Sequence, residues 1–190
     1  MPEQLIAVLD LESTGLYPEI RDVLLEVGIA LVTPELEVVN EKSVIIGADL
    51  SEIEWLLNYH ADDWARRTHT KNGLLAQVNA TGLTLLDAER LLLTWLAGHG
   101  FTEPKSLGAM AGSSVHFDQR FLRREMPTLL ALFGHRIFDV SSTREQARLW
   151  RPDLTAGEPT PRALHRALPD VHDTLALARY YREYLFRSPS

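Results

Sequence analysis

The chain has 190 residues, 45% hydrophobic and 24% charged, with a formal net charge of −7 and no cysteine. The length supports one domain with a sizeable core, and the missing cysteine excludes disulfides, zinc–thiolate sites and a cysteine nucleophile. The acidic balance argues against a broad surface that grips phosphates, so a nucleic acid would be met over a small footprint with metal ions facing its phosphates.

No apolar run approaches the roughly 18 residues of a membrane span. The opening "MPEQLIAVLD" has no basic n-region and enters a strand at once, so it is not read as a signal peptide, and the expected compartment is the cytoplasm. Residues 5–12, 23–33 and 36–46 read as strands, with a short turn at Thr33–Glu35, and form an antiparallel meander. The period then changes. Leu85, Ala88, Leu92, Trp95 and Leu96 repeat at helical spacing within residues 84–100, with Gly98 as a stop. Residues 105–111 read as a short strand, 117–126 as a helix with Asp118 at its start, 136–141 as a strand and 142–150 as a helix. Residues 151–165, rich in Pro, Gly and Thr, read as a loop. The last helix begins near Pro169, where a first-turn proline is tolerated, and runs to 186 with Val171, Leu175, Ala178 and Leu185 on one face. Three strands followed by alternating helices and strands predict one α/β domain over residues 1–190, a mixed sheet with helices on both faces.

The first strand ends in paired acids. Asp10 and Glu12 are two residues apart in a strand, so they project from the same face, roughly 7 Å apart along the chain. Gly15 then opens the strand end to solvent. Like charges this close repel unless one is protonated or a cation lies nearby, and an all-oxygen set suits Mg²⁺ or Mn²⁺. Solvated strand-end acids are the other reading of the pair taken alone. Asp118 and Asp170 each fall in the first turn of a helix, where a dipole partner is the simpler reading of either alone. His165 lies five residues before Asp170. Together these acids stand at strand ends and helix starts, where an α/β sheet gathers its site.

At these residues the sequence resembles a known family. "DLESTGL" is similar to a first exonuclease motif, D-x-E followed by Thr-Gly; "GSSVHFDQRFL" to a second, carrying one Asp; and "HRALPD" to a third, a His and an Asp separated by four residues. The ordered set resembles the DEDDh 3′→5′ exonucleases of the ribonuclease H-like fold. The segments "DDWARRTHTKNGLL", "RIFDVSSTREQARLW" and "HRALPDVHDTLALARYYREYL" narrow it to the oligoribonucleases, over about residues 5–186.

The resemblance implies a metal-dependent 3′→5′ exoribonuclease that cuts short single-stranded RNA oligonucleotides to mononucleotides, as a homodimer without membrane attachment. Asp10, Glu12, Asp118 and Asp170 would hold two divalent cations, Mg²⁺ or Mn²⁺, and His165 would be the general base. Two ions stabilise both the attacking and the leaving oxygen of an in-line displacement, and a histidine, with reference pKa ~6.5, can take the proton near neutral pH. Leu16 and Trp64 would pack against the terminal bases, which stack without regard to sequence, and His69 matches a substrate-side histidine. Ser114, Arg136, Ser141 and Ser142 would cap the 5′ phosphate, arginine being suited to bidentate contact.

The sequence also departs from the family. His135 stands where a tyrosine reaches the partner's site, Ser113, His116 and Phe117 differ from the usual second motif, and Pro169 replaces an acid beside Asp170. None of these removes a metal ligand. Two other readings stand beside the first: a DEDDh exonuclease of broader RNA or DNA range, and a non-catalytic nucleic-acid-binding domain that kept the fold.

Overall fold

The computed structural model describes residues 5–59 and 63–186; Asp62, at the head of the D-D-W segment, lies outside the described residues. Strands β1 (Ile6–Ser13), β2 (Leu24–Val32) and β3 (Val38–Ile45) form the expected antiparallel meander. Strand β4 (Gly108–Gly112) joins β1 in parallel and β5 (Phe133–Asp139) joins β4 in parallel, so the order is β3-β2-β1-β4-β5. All nine residues of β2 are buried, which explains why its apolar residues, interrupted only by Glu26 and Gly28, do not alternate with polar ones.

Alternation on β1 assigns the two faces. Ala7 and Leu9 join the core that contains Ala88, Leu92 and Leu96 of α4 (Leu85–Gly98) and Phe121 and Leu122 of α5 (His116–Glu125). Val8 joins the core on the opposite face, with Val171 and Leu175 of α9 (Ala167–Tyr184). Helices therefore cover both faces, as the pattern predicts. Asp10 and Glu12 continue the Val8 row and emerge on the α9 side. Gly28 sets how closely α9 approaches: a Cβ there would meet Ala167 and Leu168 backbone atoms at 2.8 Å.

Some boundaries move. Residues 47–83, without predicted elements, carry α1 (Leu50–Tyr59), α2 (Trp64–Lys71) and α3 (Leu74–Ala80). These close a separate core of Leu25, Ile53, Leu56, Leu57, Leu74 and Val78, but each is too short to show a sustained period. A helix, α6 (Pro127–Ala131), follows α5. Strand β5 ends at Asp139, not at Ser141. The Asp139 side chain accepts the Ser141 N–H and starts α7 (Val140–Trp150) there. The 151–165 loop contains one short helix, α8 (Pro152–Thr155). Helix α9 starts two residues before Pro169, and Leu185 falls past its end, so Tyr181 completes the buried face instead. No helix among the described residues is long and apolar enough to cross a membrane.

Candidate active site

Three carboxylates converge at the end of β1. Asp10, Glu12 and Asp170 each offer an oxygen, and these oxygens lie within 4.8 Å of one another. Strand alternation aims the first two, and the first turn of α9 brings the third. Asp118, in the first turn of α5, is buried beside Asp10 but outside that trio.

The acids are poorly compensated. Burial pushes Asp10 well above the usual carboxylate range, and repulsion from Asp118, Glu12 and Asp170 adds to it. Burial raises Glu12 to about 8, helped by Asp170 and Glu26 and opposed by Arg166. Burial raises Asp118 to about 7 against backbone hydrogen bonds. Burial also raises Asp170, with His165 opposing. The Asp170 Oδ1 is buried and has no hydrogen-bond partner among the described residues. Close-set hard oxygens, one of them unpartnered, with excess negative charge, fit a divalent metal.

His165 stands just before α9 in the left-handed region, φ +50. Its ring packs nearly perpendicular to that of Trp64, centroids 5.0 Å apart, and Trp64 meets His69 at 6.2 Å. His69 has no exposed surface. Its Nε2 lies 3.0 Å from the Ser13 carbonyl and 3.7 Å from Glu12 Oε2. Burial lowers the His69 pKa, which favours a neutral ring whose Nε2–H donates to Ser13. A cavity of about 530 Å³, lined by Glu12, Gly15, Leu16, Tyr17, Trp64 and His69, opens beside the acids. Leu16 and Trp64 are 53% and 46% exposed, so neither is a core residue.

Ser114, Ser141 and Ser142 gather around Asp139, a residue the sequence reading did not single out. Asp139 Oδ1 accepts from Ser114 N–H at 2.8 Å and from Ser141 Oγ at 2.8 Å, and Oδ2 accepts from Ser142 Oγ at 3.0 Å. Ser114 Oγ donates to Ser141 Oγ at 3.1 Å. His135 and Arg136 are exposed on the edge strand β5, and neither side chain is hydrogen-bonded or ion-paired to a described residue. Arg136 is thus not joined to the serines. Glu26 and Arg166 were also missed. A glutamate inside the apolar run of β2 was the available signal, since a charge in a fully buried strand needs a partner.

A protein-family model described as Exonuclease matches residues 7–178. The oligoribonuclease of Chromobacterium violaceum is 35% identical over 179 residues, 94% of each chain. That of Hahella chejuensis is 37% identical over 179 residues, 94% of this chain and 93% of its own. Among solved structures, the zinc-bound complex of E. coli ExoI with single-stranded DNA superposes with a TM-score of 0.63 at 16% identity, over 97% of this chain and 42% of that one. E. coli Exonuclease I with a dT13 oligonucleotide gives 0.62 at 15%, over 97% and 43%. The chain spans under half of those structures, and the likeness there is one of fold. Sequence and fold agree over nearly the full length of the chain, which belongs to the oligoribonuclease family of DEDDh exonucleases.

Proposed function

We propose that this enzyme, a single-domain cytoplasmic protein, removes nucleoside monophosphates from the 3′ end of short oligoribonucleotides. In this reading Asp10, Glu12, Asp118 and Asp170 hold two divalent cations, Mg²⁺ or Mn²⁺, and His165 is the general base. The observation that carries it is the under-compensated trio of carboxylates beside a pocket walled by Leu16 and Trp64. Divalent cations, when bound, lower the pKa of a coordinated water and neutralise charge developing on the phosphodiester. The chain does the rest. Leu16 and Trp64 pack against the terminal bases, which fixes the register of the strand without reading its sequence. Trp64 packs nearly perpendicular to the His165 ring and limits how the imidazole turns. His165 then accepts the proton of the attacking water. His69 braces Glu12 and the Ser13 carbonyl from below.

The hydroxyls of Ser114, Ser141 and Ser142, ordered by Asp139, line the 5′ side. Arg136 and His135 stand apart on an exposed sheet edge with Ile137 and Phe138. This supports a homodimer in which a second copy covers that edge and the cap is completed on assembly. The separation of Arg136 from the serines also favours a second reading, an exonuclease of broader length range.

A length series of 5′-phosphorylated RNA and DNA, from two to twenty nucleotides, separates them. The short-RNA reading predicts the highest kcat/KM for the RNA dinucleotide. It predicts that Arg136→Ala lowers that value about ten- to a hundredfold, the loss of one charge-assisted contact, and spares the 20-mer. A flat length profile, unchanged by Arg136→Ala, would establish the broader enzyme.

A further inference from the structure

Helix α2 does more than present Trp64. It ends at Lys71, and Asn72, about two turns on from Trp64, is its C-cap. The Asn72 side-chain amide is fully engaged. Its Oδ1 accepts the Leu74 N–H at 3.0 Å, while Nδ2 donates to the His165 carbonyl and, at 3.2 Å, to that of Leu164. The orientation of the amide is fixed by chemistry: a backbone N–H demands the oxygen and two carbonyls demand the nitrogen. One helix therefore holds His165 twice, by its ring through Trp64 and by its backbone through Asn72.

The other side of the same segment is gripped from β2. Buried Glu26 accepts Arg166 Nε at 2.8 Å, Arg166 Nη2 at 3.1 Å and the Ala167 N–H at 3.2 Å. His165 sits between these two anchors in the left-handed region, φ +50, which only a few per cent of non-glycine residues occupy. Such a conformation persists where its surroundings over-determine it. Without the two anchors, a loop ahead of α9 has no reason to keep it.

We propose that Asn72 is a positioning residue for the reaction. Its amide, working against the Glu26–Arg166 anchor, locks the His165 backbone so that the imidazole stays between Trp64 and Asp170. The proposal rests on His165 acting as the base. Asn72 does not line the substrate pocket, so its contribution passes through His165.

Asn72→Asp tests this closely. Aspartate keeps the acceptor for Leu74 but turns a carboxylate oxygen toward two carbonyls, and the clamp opens. Asn72→Ala removes donor and acceptor together without adding charge, and controls for the new carboxylate. Each is measured alone and combined with His165→Ala, on an RNA dinucleotide with Mg²⁺, alongside Tm. Misplacing a reacting group by about 1 Å can cost on the order of 10²-fold. Both single variants should therefore lose about ten- to a hundredfold in kcat with KM within threefold. In the His165→Ala background the same changes should cost less than twofold, because the group they position is gone. Equal losses in both backgrounds would overturn the proposal, since a general effect on folding multiplies through. So would an unchanged kcat in Asn72→Ala. If His165→Ala alone keeps wild-type turnover, the base assignment falls and this inference with it; if His165→Ala is costly and Asn72 is not, this inference alone falls.

Discussion

Glu12 and Glu26 face each other across the β1–β2 ladder, and both are buried. Glu26 is saturated. It accepts hydrogen bonds from Nε and Nη2 of the Arg166 guanidinium, from Ser43 Oγ at 2.7 Å and from the Ala167 N–H, and so ties α9 to the sheet. Glu12, one strand away, has His69 at 3.7 Å and otherwise looks toward Asp10 and Asp170. The same residue type at the same depth has two jobs. Where the fold needs an acid, the protein supplies the counter-charge; where the site needs one, it leaves the counter-charge to come from outside.

Paired substitutions make this contrast measurable. Asp170→Ala should lower turnover by several orders of magnitude, because a correctly placed metal is worth several kcal/mol in the transition state. The metal-free protein should remain folded with an unchanged or higher Tm, since a repelling charge has been removed. Glu26→Ala should do the opposite in kind. It strands a half-buried Arg166 and costs about 3–5 kcal/mol of stability, as for a broken buried ion pair, seen as a large drop in the denaturant midpoint. A Glu26→Ala protein as stable as wild type, or an Asp170→Ala protein that unfolds, would erase the distinction.

The sequence was informative where one residue type could do only one thing. The meander, the α4 period and the acids at strand and helix ends all follow from local pattern, and the ordered motifs supplied the family. What stayed hidden depends on contacts between distant segments. Short helices α1–α3 gain stability from packing around Leu25, not from their own period. Asp139 falls inside the strand predicted over 136–141, and its capping role shows only where α7 begins on it. Asn72 follows a helix and precedes a glycine, which reads as a turn; its hold on His165, more than ninety residues away, exists only in the fold. Arg136 illustrates the converse. Its type and position match a phosphate cap, yet the strand that carries it leaves it exposed on a sheet edge.

A smaller effect sharpens the same contrast through pH. On folding, Glu12 rises from 4.5 to about 8 and Asp118 from 3.8 to about 7. Between those values the folded, metal-free protein binds more protons than the unfolded chain, so its stability falls as pH rises. The penalty is absent below about pH 4 and complete above about pH 8. Tm in EDTA should therefore decline from pH 5 to pH 8, and Mg²⁺ at pH 8 should recover it, since a ligand that binds only the folded state stabilises it. A flat profile in EDTA would mean that the protein already neutralises these acids itself.

The most direct test of the account follows a 5′-labelled five-nucleotide RNA over time in EDTA, and again after Mg²⁺ or Mn²⁺ is restored. The account predicts no cleavage in chelator. After metal is returned, it predicts a ladder of labelled products that shortens one nucleotide at a time from the 3′ end, with mononucleotides as the released product. Full hydrolysis in chelator, or labelled mononucleotide as the first product, would contradict it.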